Sequence, residues 1–188
     1  DSFASGESVI FTLTGTVPAG ATGTQINTTT ALPPAGVTDR LDGWFDKARR
    51  EDPDSVVLVL LQTELRDMQG RTEEVESAYR SMLARKDIAP TQSAIIANNL
   101  AFHLARAETA DEARRLVDSA IAELGPHPDL LDTRGVVRLA GGDARRAVED
   151  LEEATLDATA TKYLHLAVAQ ATDGQVANAR KALEKANQ

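Results

Sequence analysis

Residues 132–155 read DTRGVVRLAGGDARRAVEDLEEAT, and Gly135 sits inside a run that otherwise scans as helix. An isolated glycine in a helix costs about 1 kcal/mol relative to alanine, so it asks for a packing reason, such as a second backbone that must come close. Twelve residues on lies Ala147, with Gly142 between them where a helix can end and a tight turn begin. Two antiparallel helices approach closely where both present small side chains, so Gly135 is expected to face Ala147 across a helical hairpin.

The same pattern recurs. Thr63, Ala101, Gly135 and Ala167 are each followed twelve residues later by Val75, Ala113, Ala147 and Ala179. Four residues further lie Tyr79, Val117, Leu151 and Leu183, and three beyond those Met82, Ala120, Ala154 and Ala186. The second helix of each unit therefore carries an i, i+4, i+7 apolar stripe. Gly70, Gly142 and Gly174 fall seven residues after three of the four small residues, where glycine ends a helix and permits the turn, with Glu108 as the departure. Successive units are offset by 38, 34 and 32 residues, the spacing of helical hairpins that stack into a solenoid.

These residues resemble the tetratricopeptide repeat family, whose signature is the small-residue pair across a hairpin, a large apolar residue before it and a proline near the unit's end. Val59, Ala97, Leu131 and Tyr163 fill the large slot, imperfectly at Ala97, and Pro53, Pro90, Pro126 and Pro128 fall at or near the junctions. The resemblance implies an all-α, right-handed superhelical solenoid over residues 38–188, with nine helices. It comprises a half repeat at 38–53, carried by Leu41, Phe45 and Ala48, and repeats at about 54–89, 91–125, 128–158 and 160–188.

Residues 1–37 differ in character, being rich in Thr, Gly, Ala and Pro. The stretch SVIFTLTGTV alternates as a strand, PAGATG supplies a turn and TQINTTTAL reads as a second strand. The segment resembles the closing strands of a repeated β-sandwich domain of bacterial surface proteins. Two strands alone are marginal in water, so this β-like leader is either loosely ordered or lies over Trp44 and Phe45, where the half repeat lacks its first helix. Asp1 is not a natural start, and the chain reads as an excised piece or a mature product.

Composition bounds the chemistry. With 29 acidic and 20 basic residues the formal net charge is −9, which repels a phosphate backbone unless cations are gathered on one face. No basic run exceeds the KARR of Lys47–Arg50, so nucleic acid is not an expected partner. The chain has no cysteine, which excludes disulfides and thiolate chemistry. No apolar run approaches the roughly 18 residues that read as a membrane span, so a soluble chain with no membrane partner is expected, in an undetermined bacterial compartment, cytoplasmic or exported.

Catalytic, metal and cofactor sites are not expected. His103, His127 and His165 are the only histidines; His103 and His165 have no second ligand at the i, i+4 spacing of a helical metal site, and His127 lies in the loop GPHPD. The run EDLEE at 149–153 reads mainly as a solvated helix face, and no nucleophile elbow, phosphate loop or dinucleotide fingerprint occurs. Asn27-Thr28-Thr29 is formally a glycosylation sequon but is discounted.

In the family the first helices line the concave face. Tracing their inward positions here gives Val57, Leu60, Glu64 and Asp67; Ile95, Asn98, Phe102 and Ala105; Asp129, Asp132, Val136 and Leu139; Thr161, Leu164, Val168 and Ala171. The resemblance thus implies a protein–protein interaction scaffold whose peptide-binding groove contains Leu60, Glu64, Asn98, Phe102, Asp129, Asp132, Val136, Leu139, Leu164 and Val168. An apolar groove with an acidic centre selects a peptide or helix with apolar anchors and basic residues. The family's carboxylate-gripping mode is not expected, because the corresponding positions hold Leu60, Glu64, Asn99, Asp129 and Thr133, of which only Asn99 agrees. The competing readings are a structural spacer or assembly module of a larger bacterial protein, with self-association through the solenoid ends, and the non-catalytic part of an enzyme whose active domain lies elsewhere.

Overall fold

The computed structural model describes residues 37–52, 55–106 and 109–187. The strand pair expected in residues 1–36, its β-sandwich resemblance, Pro53 and Glu108 lie outside the described residues. Among the described residues the chain forms nine helices: α1 (Val37–Glu51), α2 (Val56–Met68), α3 (Thr72–Leu83), α4 (Pro90–Arg106), α5 (Ala110–Leu124), α6 (Pro128–Ala140), α7 (Ala144–Ala154), α8 (Ala160–Thr172) and α9 (Val176–Ala186). After the single helix α1, they pair as four hairpins, α2 with α3, α4 with α5, α6 with α7 and α8 with α9.

Local sequence sets the helix bounds. Ser55, Asp143 and Thr159 accept side-chain hydrogen bonds from the amides of Leu58 (3.4 Å), Arg146 (3.2 Å) and Lys162 (3.2 Å) at the starts of α2, α7 and α8, which satisfies donors that have no partner within the helix. Pro90 and Pro128 open α4 and α6, where the missing amide costs nothing. Gly70, Gly142 and Gly174 stand at φ of 73°, 82° and 82°. That left-handed conformation ends the first helix of each of those hairpins, as their spacing predicts.

The small-residue pairs close the hairpins. Thr63, Ala101, Gly135 and Ala167 are all buried, as are Val75, Ala113, Ala147 and Ala179. Thr63 fits because its hydroxyl donates back to the Val59 carbonyl at 2.7 Å, so the hydroxyl itself is not left unpaired in the interface. A Cβ added at Gly135, however, would meet Leu151, with Cγ at 2.5 Å and the two Cδ atoms at 2.9 and 3.0 Å. Leu151, rather than the expected Ala147, is the side chain seated over the glycine. Helical side chains lean toward their own N-terminus, so the long Leu151 reaches back along α7 to the level of Gly135, while Ala147 lies nearer the turn.

The layers follow from which helices touch. Along the first helices α4 packs on α6 and α6 on α8, whereas none of the second helices α3, α5, α7 and α9 packs on another. The first helices are therefore the inner layer of the curve and the second helices its outer layer, where the Arg80–Glu112 ion pair bridges α3 and α5. No Cα atoms of α2 and α4 lie within 8 Å of each other, so the inner-layer backbones are more widely spaced at that seam.

One carboxylate of the 149–153 run departs from the solvated reading. Glu149, Glu152 and Glu153 are exposed, but Asp150 is buried and accepts from Arg134 at 2.7 and 2.9 Å, with Arg138 2.7 Å away. Two guanidinium groups from α6 compensate this buried charge, which is what makes its burial tolerable.

Gly135→Ala should raise helix propensity by about 1 kcal/mol yet lower stability by about 1–3 kcal/mol through overpacking against Leu151. Urea midpoints would measure it. In a Leu151→Ala background the same substitution should be neutral or stabilising.

Candidate functional site

The inner face of the first helices carries a chain of contacts that crosses all four hairpins. It begins on α2 with Asp67, which lies 3.5 Å from Arg106 and 3.7 Å from His103, both on α4. Arg106 Nη2 donates to His103 Nδ1 at 3.0 Å, and this requires that nitrogen to be unprotonated. Burial holds His103 below its ordinary pKa, opposed by Asp67 and reinforced by Arg106, so the imidazole is neutral and Arg106 is the counter-ion of Asp67. The Arg106 guanidinium also sits over the Phe102 ring, 5.0 Å from its centroid, an attractive cation–π arrangement.

From Phe102 the chain continues to α8. The Phe102 and His165 rings lie 6.1 Å apart between centroids, and His165 Nδ1 donates to both carboxylate oxygens of Asp132 on α6, at 2.9 and 3.0 Å. Beneath α2 and α4, Tyr79 from α3 packs its ring 5.8 Å from that of His103. Phe102 is thus held at the centre of the inner face, half-buried, with a cation on one side and an imidazole on the other.

The expected groove residues divide into three groups. Leu60 and Val136 pack against the main core cluster and Leu139 against the cluster of the last two hairpins, so much of their apolar surface serves the fold. Ala105 is buried in the core as well. The inward trace assumed that core and groove faces are separate, but a half-buried residue at the seam belongs to both. Leu164 and Val168 on α8 remain exposed at 47% each, and Phe102 and Asn98 are half-buried on α4.

The acids form the second distinction. Asp129 lies 2.7 Å from the buried Lys162 ammonium, which also lies 3.3 Å from Asp157, and Asp132 is engaged by His165. The acidic centre expected from the sequence is thus largely matched by internal partners. Glu64 is different: among the described residues it has no hydrogen-bond or ion-pair partner. Burial, with the Asp67 carboxylate one turn on, pushes Glu64 up to about 7. The Tyr79 phenol is also raised, chiefly by burial and then by the Glu64 charge.

Sequence reasoning missed these pairings because it sought partners one helical turn away. His165 and Asp132 are 33 residues apart and Arg106 and Asp67 are 39, about one repeat. Scanning for opposite charges at the repeat offset is the signal that finds them. Among the described residues no three His, Asp or Glu side chains gather as a metal site, and no helix is long and apolar enough to cross a membrane.

Because the pKa of Glu64 is raised on folding, the native state holds a proton that the unfolded chain has lost between about pH 4.5 and 7. Its contribution is favourable below that window and is lost as pH rises through it. Glu64→Gln should therefore match the parent near pH 4 and exceed it at pH 8, by about 1 kcal/mol after allowance for solvent screening. Denaturant midpoints at the two pH values would measure the difference.

No family model and no curated protein matches the chain. Solved structures match its fold. TTC0263, a thermophilic TPR protein of Thermus thermophilus, is 19% identical with a TM-score of 0.65, over 81% of this chain and 85% of that one. MamA is 20% identical with a TM-score of 0.57, over 82% and 93%. A chain of the Cut9–Hcn1 hetero-tetramer of the APC/C is 18% identical with a TM-score of 0.66, over 80% of this chain and 30% of that one. The fold is that of the tetratricopeptide-repeat solenoids.

Proposed function

We propose that this solenoid is a protein-interaction scaffold that binds a peptide or helix segment along the inner face of α2, α4, α6 and α8, and that it carries no catalysis of its own. The observation that carries this reading is Phe102. An aromatic side chain on the inner face, half-buried and braced by Arg106 and His165, is pre-organised as an anchor. Leu164 and Val168, exposed on α8, extend the apolar surface away from it. A bound segment would seat an apolar residue against Phe102 and others against α8, in the manner of helix-in-groove or extended-peptide recognition.

The groove comprises Phe102, Asn98, Leu164 and Val168 as contact residues, with Glu64 and Asp132 as its acidic edge. Leu60, Val136 and Leu139 shape its floor, and Asp129 supports it through Lys162. The Cut9–Hcn1 structure shows the fold in a hetero-tetramer by its name, which is compatible with a protein partner here. Within the same reading, self-association is proposed through the last hairpin, where Val176 and Leu183 stand exposed.

Selection from a displayed random-peptide library on the immobilised chain tests the reading. Selected peptides should bind the parent and lose about 2 kcal/mol or more of affinity, roughly 30-fold, with Phe102→Ala. The far-ultraviolet circular dichroism of that variant should be unchanged. Peptides that bind Phe102→Ala as well as the parent place recognition elsewhere on the chain.

A further inference from the structure

We propose that the inner face of the seam between α2 and α4 receives one basic side chain of the bound segment, Lys or Arg, with the Glu64 carboxylate as its counter-ion. This rests on the reading of the inner face as a peptide groove, and it names the residue that would select charge there.

At the seam between α2 and α4 the backbones are more widely spaced: α4 packs on α6 and α6 on α8, but no Cα atoms of α2 and α4 lie within 8 Å of each other, and Val59 and Leu60 of α2 pack inward against the core cluster. Side chains bridge the seam on one side through Asp67 and Arg106, and Tyr79 of α3 lies beneath. Glu64 stands on α2 one turn before Asp67, half-buried.

The groups that face Glu64 from its own and the neighbouring helices have partners of their own, and Arg66 on α2 is directed to Glu74 at 3.5 Å. On its own helix the nearest is Asp67, of like charge and paired with Arg106. From α3 comes the neutral Tyr79, whose pKa is raised further by Glu64 itself. From α4 come Arg106, held by Asp67 and stacked on Phe102, and the neutral His103. From α1, Arg49 donates to Gln62. Glu64 is therefore a partly desolvated acid with no resident cation, a state relieved by a proton or by a cation supplied from outside. A second acceptor, Asn98 Oδ1, is buried without a hydrogen-bond donor one turn before Phe102 on α4. An incoming ammonium or guanidinium offers several donors and a full charge, which a neutral amide or hydroxyl does not.

Asp67 and Arg106 join the helix of Glu64 to the ring of Phe102, so the basic residue falls close to the apolar anchor in the bound segment. Pairing requires ionised Glu64. With its pKa near 7, binding releases a proton in mildly acidic solution and strengthens as pH rises.

The probe is a histidine-free peptide from the library selection, with each Lys or Arg replaced in turn by norleucine and by Glu. One such replacement should weaken binding about tenfold or more at pH 8. Binding of the parent peptide should fall about tenfold from pH 8 to pH 6, as Glu64 protonates. Against Glu64→Gln both effects should shrink to less than about twofold, with Phe102 still required. Peptides that bind through Phe102 without a basic residue, or whose basic residue matters equally to Glu64→Gln, overturn the assignment and leave the groove reading standing. A library that yields no Phe102-dependent binder overturns both.

Discussion

Closure of each hairpin on a pair of small residues is the contact from which the architecture follows. At Gly135 no Cβ stands between α6 and Leu151, and the buried leucine occupies the space. The arrangement gives up about 1 kcal/mol of helix propensity for a well-filled interface, and filling is worth more than propensity in a close-packed interior. Once the two helices of a unit are locked face to face, only the first helix has a free inner face and only the second a free outer one. The groove is a geometrical consequence of that closure.

What fixes the groove's width is a different set of forces. A solenoid is coupled only between nearest neighbours, so the angle between successive units depends on what crosses each seam. Here the seams on the inner face are crossed by polar contacts about one repeat long: the ion pairs of Asp67 with Arg106 and Asp129 with Lys162, and the hydrogen bonds of His165 to Asp132. Lys162 is buried and Asp129 and Asp132 are nearly so, which gives these pairs more weight than exposed ones carry. A chain of net charge −9 thus uses Arg106 and Lys162 to offset acids of its own inner face. What a ligand meets is less acidic than the sequence suggests, and Glu64 is an inner-face acid without a partner among the described residues.

The hairpins were legible in the sequence because their signals are local. A 3.6-residue period, glycines at fixed distances and prolines at junctions each act within a few residues, and Gly70, Gly142 and Gly174 adopt the left-handed turns that their spacing implies. The inner face was legible only in outline. Phe102, Leu164 and Val168 keep exposed or half-exposed surface, but Leu60, Val136 and Leu139 share theirs with the core, since periodicity assigns a direction and not a depth. The seam-crossing pairs were not legible at all to a search within one helix. Asp150 hid in the same way: its arginine partners lie on the other helix of its hairpin, 12 and 16 residues back.

The unequal offsets of 38, 34 and 32 residues show how the repeat tolerates variation. Helix α4 has 17 residues where α2, α6 and α8 each have 13, and the extra ones lie at its start, before the buried positions that match those of the other units. Because the extra residues precede those positions, they lengthen α4 by about one turn without rotating its packed faces. Ala101 stays against α5 and Phe102 stays on the inner face, as they would with a shorter helix. The phase of the helix, rather than the length of the unit, is the quantity this fold conserves from one hairpin to the next, and it is what carries Phe102 into line with Asp67 before it and His165 beyond.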